Sequence, residues 1–291
     1  MASLKYISAY YFFIVIFLYL CSKLSNLSKP VKTFCLLVFL SFIQGLYADE
    51  YALNESALHV DARDFAMGGL VCTFGPFSDN KLEITYLMPF QLKELSVRKL
   101  EFSKKTLGLD WSLGWYQSGN ADWMENNFSM HLSKNLSEHL YLGVEVNALV
   151  LDNALEGPNS VCFAELDCHY LLSEKVSIGL TLMNPSGVRI KSGNDWVPLS
   201  SAAFLGARYS PARKCLLYSE IEVRLYNPIR ERMGLEYVLN DFLILRTGFS
   251  TGPLMPSWGI GGSVNRLTYS WGGSTHPILG ISNGFTLNYS W

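Results

Sequence analysis

Ile281-Ser282-Asn283-Gly284-Phe285-Thr286-Leu287-Asn288-Tyr289-Ser290-Trp291 closes the 291-residue chain. Phe285, Leu287, Tyr289 and Trp291 alternate with Gly284, Thr286, Asn288 and Ser290. A period of two is the period of a strand, here with one apolar, aromatic face and one small, polar face. In a soluble sheet the apolar face would turn toward a core. The same alternation recurs along most of this chain, and the last residue is aromatic. Together these features predict the closing strand of an outer-membrane β-barrel, apolar toward lipid and polar toward the lumen. Phe285, Tyr289 and Trp291 then form the assembly signal, read by the barrel assembly machinery and seated at the lipid boundary. The polar face of this strand is uncharged, which places charged lumen chemistry several strands away.

Composition agrees. Charged residues make up 16% of the chain, below the usual quarter, while aromatics reach 14%. An uncharged lipid band and aromatic girdles move composition this way. The net charge of −2 gives no electrostatic case for nucleic acid as a partner. The expected partner is outer-membrane lipid.

Two hydrophobic runs precede the barrel, Tyr10 to Cys21 and Phe34 to Leu46. Lys29 and Lys32 precede the second run and Leu46-Tyr47-Ala48 follows it, which is the layout of a secretory signal. Residues 1–48 are read as the leader, with cleavage after Ala48 and a cut after Gly45 as the alternative. A start assigned too far upstream, over residues 1–28, accounts for the doubled run better than an anchor at 6–21, which is short for a span. Cys72, Cys162, Cys168 and Cys215 remain in the mature chain. No CxxC or His/Cys spacing suggests zinc, and neither a metal nor a cofactor is expected.

From residue 81 to 291 strand follows strand. Leu140, Leu142, Val144, Val146, Ala148 and Val150 stand opposite Tyr141, Gly143, Glu145 and Asn147, and similar ladders run through 107–115, 176–182, 243–249, 258–264 and 267–271. Short polar turns fall at 135–137, 173–174, 211–213, 240–241 and 265–266. Longer loops fall between them at 117–123, 152–160, 185–199, 227–229, 251–256 and 274–281. Short turns on one side and longer loops on the other is the outer-membrane pattern. Counting back from Trp291 yields six hairpins, and a less regular seventh covers 82–103 with its turn near Gln91–Glu94. The expected fold is therefore an all-β, antiparallel, up-and-down transmembrane barrel of about fourteen strands, twelve being the alternative count. Residues 49–80 do not alternate and read as a periplasmic or lumen-inserted N-terminal segment.

The polar faces carry Glu145, Glu165, Asp167, His169, Glu220, Glu222, Arg224, Arg232, Glu236, Arg246 and Arg266, which are the candidate lumen-lining residues. Adjacent strands bring opposite charges into cross-strand reach. The balanced signs favour a salt-bridged filling that sets register over a charge-selective pore. Asp167 and His169 share a face, yet no nucleophile motif such as GxSxG accompanies them, so no catalytic residue is assigned. Gly259-Ile260-Gly261-Gly262 lacks a following helix and is not a phosphate loop.

Asp61-Ala62-Arg63-Asp64-Phe65-Ala66-Met67-Gly68-Gly69 resembles the AR-x-x-x-MGG entry motif of the PorV/PorQ-like barrels of Bacteroidetes-type bacteria, relatives of the long-chain fatty-acid transporter barrels. Gly234-Leu235-Glu236-Tyr237, Leu245-Arg246-Thr247-Gly248-Phe249 and Gly259-Ile260-Gly261-Gly262 resemble later parts of that pattern. The Asn-Pro-Ala motif common after the entry is replaced by Gly75-Pro76-Phe77. The resemblance implies a fourteen-stranded barrel with an N-terminal segment near the lumen. It also implies either transport of a small or hydrophobic solute or a place among type IX secretion components.

Overall fold

The computed structural model describes residues 61–72 and 80–291, apart from 107, 155–156, 193–194 and 225–226. The leader and its cleavage site lie outside the described residues. The described strands are β1 (Lys81–Met88), β2 (Val97–Thr106), β3 (Leu109–Gly119), β4 (Trp123–Asn135), β5 (Leu140–Asn153), β6 (Gly157–Ser173), β7 (Val176–Met183), β8 (Arg189–Ser192), β9 (Asp195–Pro198), β10 (Ala202–Ala212), β11 (Cys215–Arg224), β12 (Arg230–Asn240), β13 (Leu243–Ser250), β14 (Met255–Val264), β15 (Leu267–His276) and β16 (Gly280–Ser290).

Fourteen of these form one closed antiparallel barrel among the described residues, each strand paired with its neighbour in sequence, with β7 joined to β10 and β16 to β1. The closing pair runs from Lys81 opposite Ser290 to Met88 opposite Asn283. Closure leaves no edge strand with unpaired backbone, a requirement for any sheet that crosses hydrocarbon.

The pleat sorts the side chains as the alternation predicts. On β16 Phe285, Leu287 and Tyr289 are exposed on the outside while Thr286 is fully buried inside. The same inversion holds on β4 and β5, where Phe128, Met130, Val144 and Val146 face out and Asn127, His131 and Asn147 face in. Large apolar groups outside and polar groups inside is the reverse of a soluble barrel and the arrangement that lipid requires. Cys162 and Cys168 sit on the outer face of β6, and the four described cysteines are free thiols.

The wall is uneven in height. β1, β7 and β13 have 8 residues each, whereas β5 has 14 and β6 has 17.

Three details differ from the sequence expectation. The first hairpin spans 81–106, and its connection is two helical turns, Pro89–Gln91 and Lys93–Leu95, with Phe90 and Gln91 at φ of 52° and 59°. Aromatic and amide side chains gave no hint of that left-handed pair, which a Ser282 hydroxyl supports by accepting the Phe90 N–H at 2.9 Å. The connection expected as a plain loop at 185–199 contains the extra hairpin β8–β9, too short to register as alternation. Arg266, expected on the lumen face, lies exposed in the turn between β14 and β15. Asn265 takes the positive φ of 56° that such a tight reversal needs, and this ends the strand before Arg266 can point inward.

Trp291 follows β16, donates its N–H to the Asn80 carbonyl at 3.1 Å and lies 5.6 Å, ring to ring, from Phe102. It thus ties the last strand to the first at the turn end. Removing Trp291 is expected to lower the amount of folded, heat-modifiable barrel in membranes several-fold. The N-terminal segment should stay seated, as judged by unchanged proteolysis at Arg63 in the fraction that folds. Normal membrane levels would refute this role.

Candidate functional site: a plugged lumen

The described N-terminal segment lies inside the barrel. Asp61 caps a single helical turn, α1 (Ala62–Phe65), its carboxylate accepting the Asp64 N–H at 2.7 Å. Ala62 is fully buried, and its own N–H donates to Thr286 Oγ1 at 2.8 Å. Thr286 in turn shares a 2.8 Å hydrogen bond with Thr85 of β1. The polar face of the closing strand is therefore a seat for the segment, not a wall remote from the lumen chemistry. Its lack of charge suits it to a backbone partner.

Beside that seat the wall is stripped of side chains. A Cβ on Gly234 would stand 2.6 Å from Met67 Cβ, one on Gly248 2.5 Å from the Met67 carbonyl carbon, and one on Gly259 2.5 Å from Ala66 Cβ. A Cβ on Gly272 would run into the Ala62 carbonyl oxygen. Four successive strands, β12 to β15, thus offer bare backbone to the segment. The segment answers with a glycine of its own. Gly68 has φ +90°, and a Cβ there would lie 2.5 Å from the Phe249 carbonyl oxygen.

Charge holds the segment in two places. Arg63 Nε and Arg246 Nε donate to the same oxygen of Glu236, at 2.9 and 2.7 Å, and Arg63 also donates to the Tyr218 hydroxyl at 2.7 Å. At the other end Glu220 Oε2 accepts the backbone N–H groups of Val71 and Cys72 at 2.9 and 2.7 Å, while its Oε1 accepts Arg232 at 2.5 Å. Arg232 also pairs with Glu222, which Arg224 flanks. Burial, and after it the Glu220 carboxylate, holds the Cys72 thiol well above its ordinary value. The thiol stays protonated and donates to the Phe204 carbonyl at 3.3 Å.

The rest of the lumen is layered. Toward the loops it is apolar. Leu87, Val97, Leu149, Phe163, Met183 and Phe204 pack with Ile190 and Leu199 of the inserted hairpin segment and with Val71 and Cys72. Below lies a polar cavity of about 290 Å³, walled by Asp61, Asp64, His131, Glu145, Asp167 and Arg208 among others. A square of Lys81, Glu83, Lys99 and Glu101 completes its lining, with Lys81–Glu83 at 3.0 Å and Lys99–Glu101 at 2.9 Å.

The candidates read from sequence fall out as follows. Glu220, Glu222, Arg224 and Arg232 form one charged cluster on β11 and β12, and Glu236 and Arg246 form a second with Arg63. The pairs Glu220–Arg232 and Glu236–Arg246 are direct cross-strand partners. Glu145 and Asp167 stand across the lumen on the cavity wall. Glu165 is buried and accepts from Asn147 Nδ2 at 3.0 Å. His169 is buried on the same strand as Asp167, yet Asp167 instead faces His131 Nε2 at 3.5 Å and accepts from Thr181 at 2.7 Å.

Sequence reasoning missed Arg63, Lys81, Glu83, Lys99, Glu101, His131 and Arg208. For β1, β2 and β4 the signal was present, since Glu83, Thr85, Lys99, Glu101 and His131 all keep period two. Nothing in the residues around Arg63 shows that its partner lies 173 positions away.

These features define a class: a closed fourteen-stranded outer-membrane barrel whose lumen is occupied by its own N-terminal segment. The solved structures bear this out for the fold. The toluene transporter TodX of Pseudomonas putida matches with a TM-score of 0.56 at 10% identity, covering 84% of this chain and 97% of that one. A second structure of TodX matches with a TM-score of 0.59 at 10% identity, covering 80% and 98%. No protein-family model matches the sequence, and no curated protein matches it.

Glu236→Ala leaves the buried Arg246 guanidinium and the part-exposed Arg63 guanidinium without their shared carboxylate. The expected loss is about 3–5 kcal/mol, read as a lower unfolding midpoint in urea with faster proteolysis after Arg63. Gly234→Val places a side chain where Met67 stands. It is expected to unseat the segment at a cost of about 1–3 kcal/mol with the barrel still closed. Retained protection of Arg63 in Gly234→Val would contradict the seat.

Proposed function

We propose that this protein is a non-enzymatic barrel in the outer membrane of a Gram-negative bacterium that passes a small apolar solute. The carrying observation is the apolar layer at the loop end of the lumen, built from Leu87, Val97, Leu149, Phe163, Met183 and Phe204. A barrel that moves ions or sugars keeps a polar, water-filled lumen. Here a solute entering from the loops meets apolar groups first and the polar cavity afterwards. The likeness to a toluene transporter supports this reading, as does the resemblance to relatives of the fatty-acid transporter barrels. The N-terminal segment then acts as the barrier to ions, since it fills the lumen where the charged network lies.

The test has two arms. In planar bilayers the intact protein is expected to show little ion conductance, and a chain lacking residues 61–72 is expected to conduct. In cells, uptake of a radiolabelled apolar compound such as toluene is expected to rise several-fold with expression, and Phe163→Glu should abolish the rise. A shortened chain that stays as closed as the intact one would overturn the barrier. Uptake indifferent to the barrel would overturn transport.

A second reading is a docking component of a protein secretion machine of the type IX kind. It draws on the apolar groups left at the loop end, with Trp196 64% and Ile278 87% exposed, where solvated loops usually carry polar residues. Under this reading Trp196→Ser and Ile278→Ser together abolish cross-linking to neighbouring membrane proteins and leave solute uptake intact.

A further inference from the structure

The described residues of the loop segment between β7 and β10 are tied together at their base. Asn184, fully buried and at φ 46°, stands at its base. Its side chain accepts the Val188 N–H at 3.0 Å and donates to the Leu199 carbonyl at 3.0 Å, while its own carbonyl accepts the Ser201 hydroxyl at 2.8 Å. Leu199 N–H also returns to the Val188 carbonyl at 3.0 Å, just below the β8–β9 ladder. The segment is thus cross-tied from its base upward, and it reaches the lumen through Ile190 and Leu199, both buried.

Inside the lumen this piece and the N-terminal segment lean on the same supports. Ile190 and Leu199 share one apolar cluster with Val71 and Cys72, and fully buried Phe204 belongs to it. The Phe204 carbonyl holds the Cys72 thiol, and the Arg232 guanidinium lies over the Phe204 ring at 5.5 Å. A single run of charged groups links the two pieces as well. Ser200, at the stem of the loop segment, accepts from Arg224; Arg224 pairs with Glu222; Glu222 pairs with Arg232. Arg232 pairs with Glu220, and Glu220 holds the Val71 and Cys72 amides. Each link is a charge-assisted bond in a site shielded from water, and such chains polarise one another.

We propose that the β8–β9 loop segment and the N-terminal segment are one cooperative double gate. Displacing the loop segment from outside weakens the seat of the N-terminal segment through the Arg224–Glu222–Arg232–Glu220 chain and Phe204. The inference rests on the transport reading for its purpose, since it describes how that passage would be regulated. Coupling of this kind is reciprocal: loosening the inner segment must loosen the outer one by the same factor. A solute pressing into the apolar layer then has to open one gate to release both, so neither leaks alone.

Amide hydrogen exchange, read by mass spectrometry on the full barrel in micelles, tests this without any solute. Ser200→Ala and Arg224→Gln cut the chain at its outer end. Both are expected to raise exchange of the Val188 and Leu199 amides and, by about tenfold, that of Ala62. Ala62 bonds to Thr286 and lies outside the apolar cluster that the loop segment shares, so direct uncovering cannot explain its response. Glu220→Gln cuts the inner end and is expected to raise exchange at Val188 and Leu199 in return. Faster exchange confined to the side of the mutation would overturn the coupling, even if solute uptake proved real. The reciprocal pattern would uphold the coupling even if uptake failed. Ser200→Ala removes one oxygen and keeps the barrel foldable, so the test stands should Arg224→Gln misfold.

Discussion

Glu236 holds two guanidinium groups, Arg63 from the N-terminal segment and Arg246 from the neighbouring strand, and much of the molecule follows from the need for that bond. Lipid outside forces the apolar face of every strand outward, which leaves the polar face enclosing a narrow space. Charges trapped there cannot rely on bulk water, so each must find a partner. Wall residues supply most of the partners to one another through cross-strand register. Glu236 and Glu220 also hold groups of the N-terminal segment, so the segment completes the lumen that surrounds it. Such buried pairs add little net stability against apolar replacements, but breaking one is costly. They therefore fix where the segment sits more than they hold the barrel closed.

The fold was legible because lipid imposes a regular code. Alternation in β5 and β16, together with short turns at one end, was enough for strand count, direction and closure. The same code located the charged face of β11 to β13, where Glu220, Glu222, Arg232, Glu236 and Arg246 repeat at period two. It failed where the chain leaves the pleat. Arg266 kept the period on paper, but the turn read at 265–266 takes it out of the pleat and into solvent. The β8–β9 hairpin has four residues a side, too few for alternation to stand out from an ordinary loop. Asp167 and His169 share a strand face, which said nothing about His131 arriving from β4.

The glycines carry a lesson about motifs. Ala62-Arg63 with Met67-Gly68-Gly69, Gly234 with Glu236, Arg246 with Gly248, and Gly259 are short patterns scattered over two hundred positions, roughly the length of the whole barrel wall. In the folded chain most of them touch. Glycines on the wall make room, glycine on the segment turns it, and arginine meets carboxylate alongside. Each pattern is half of a contact and has little meaning alone.

The uneven height of the wall sets how the molecule sits in its membrane. A strand of 8 residues, rising about 3.3 Å per residue and tilted by about 40°, climbs about 20 Å and falls short of the roughly 25 Å apolar band, whereas one of 17 overshoots it. Lipid beside β1, β7 and β13 must thin to keep apolar side chains out of water. The thinned stretches include the junction of β1 with β16, where the first and last strands must find each other. The bilayer is thus deformed at the seam where the cylinder has to zip shut.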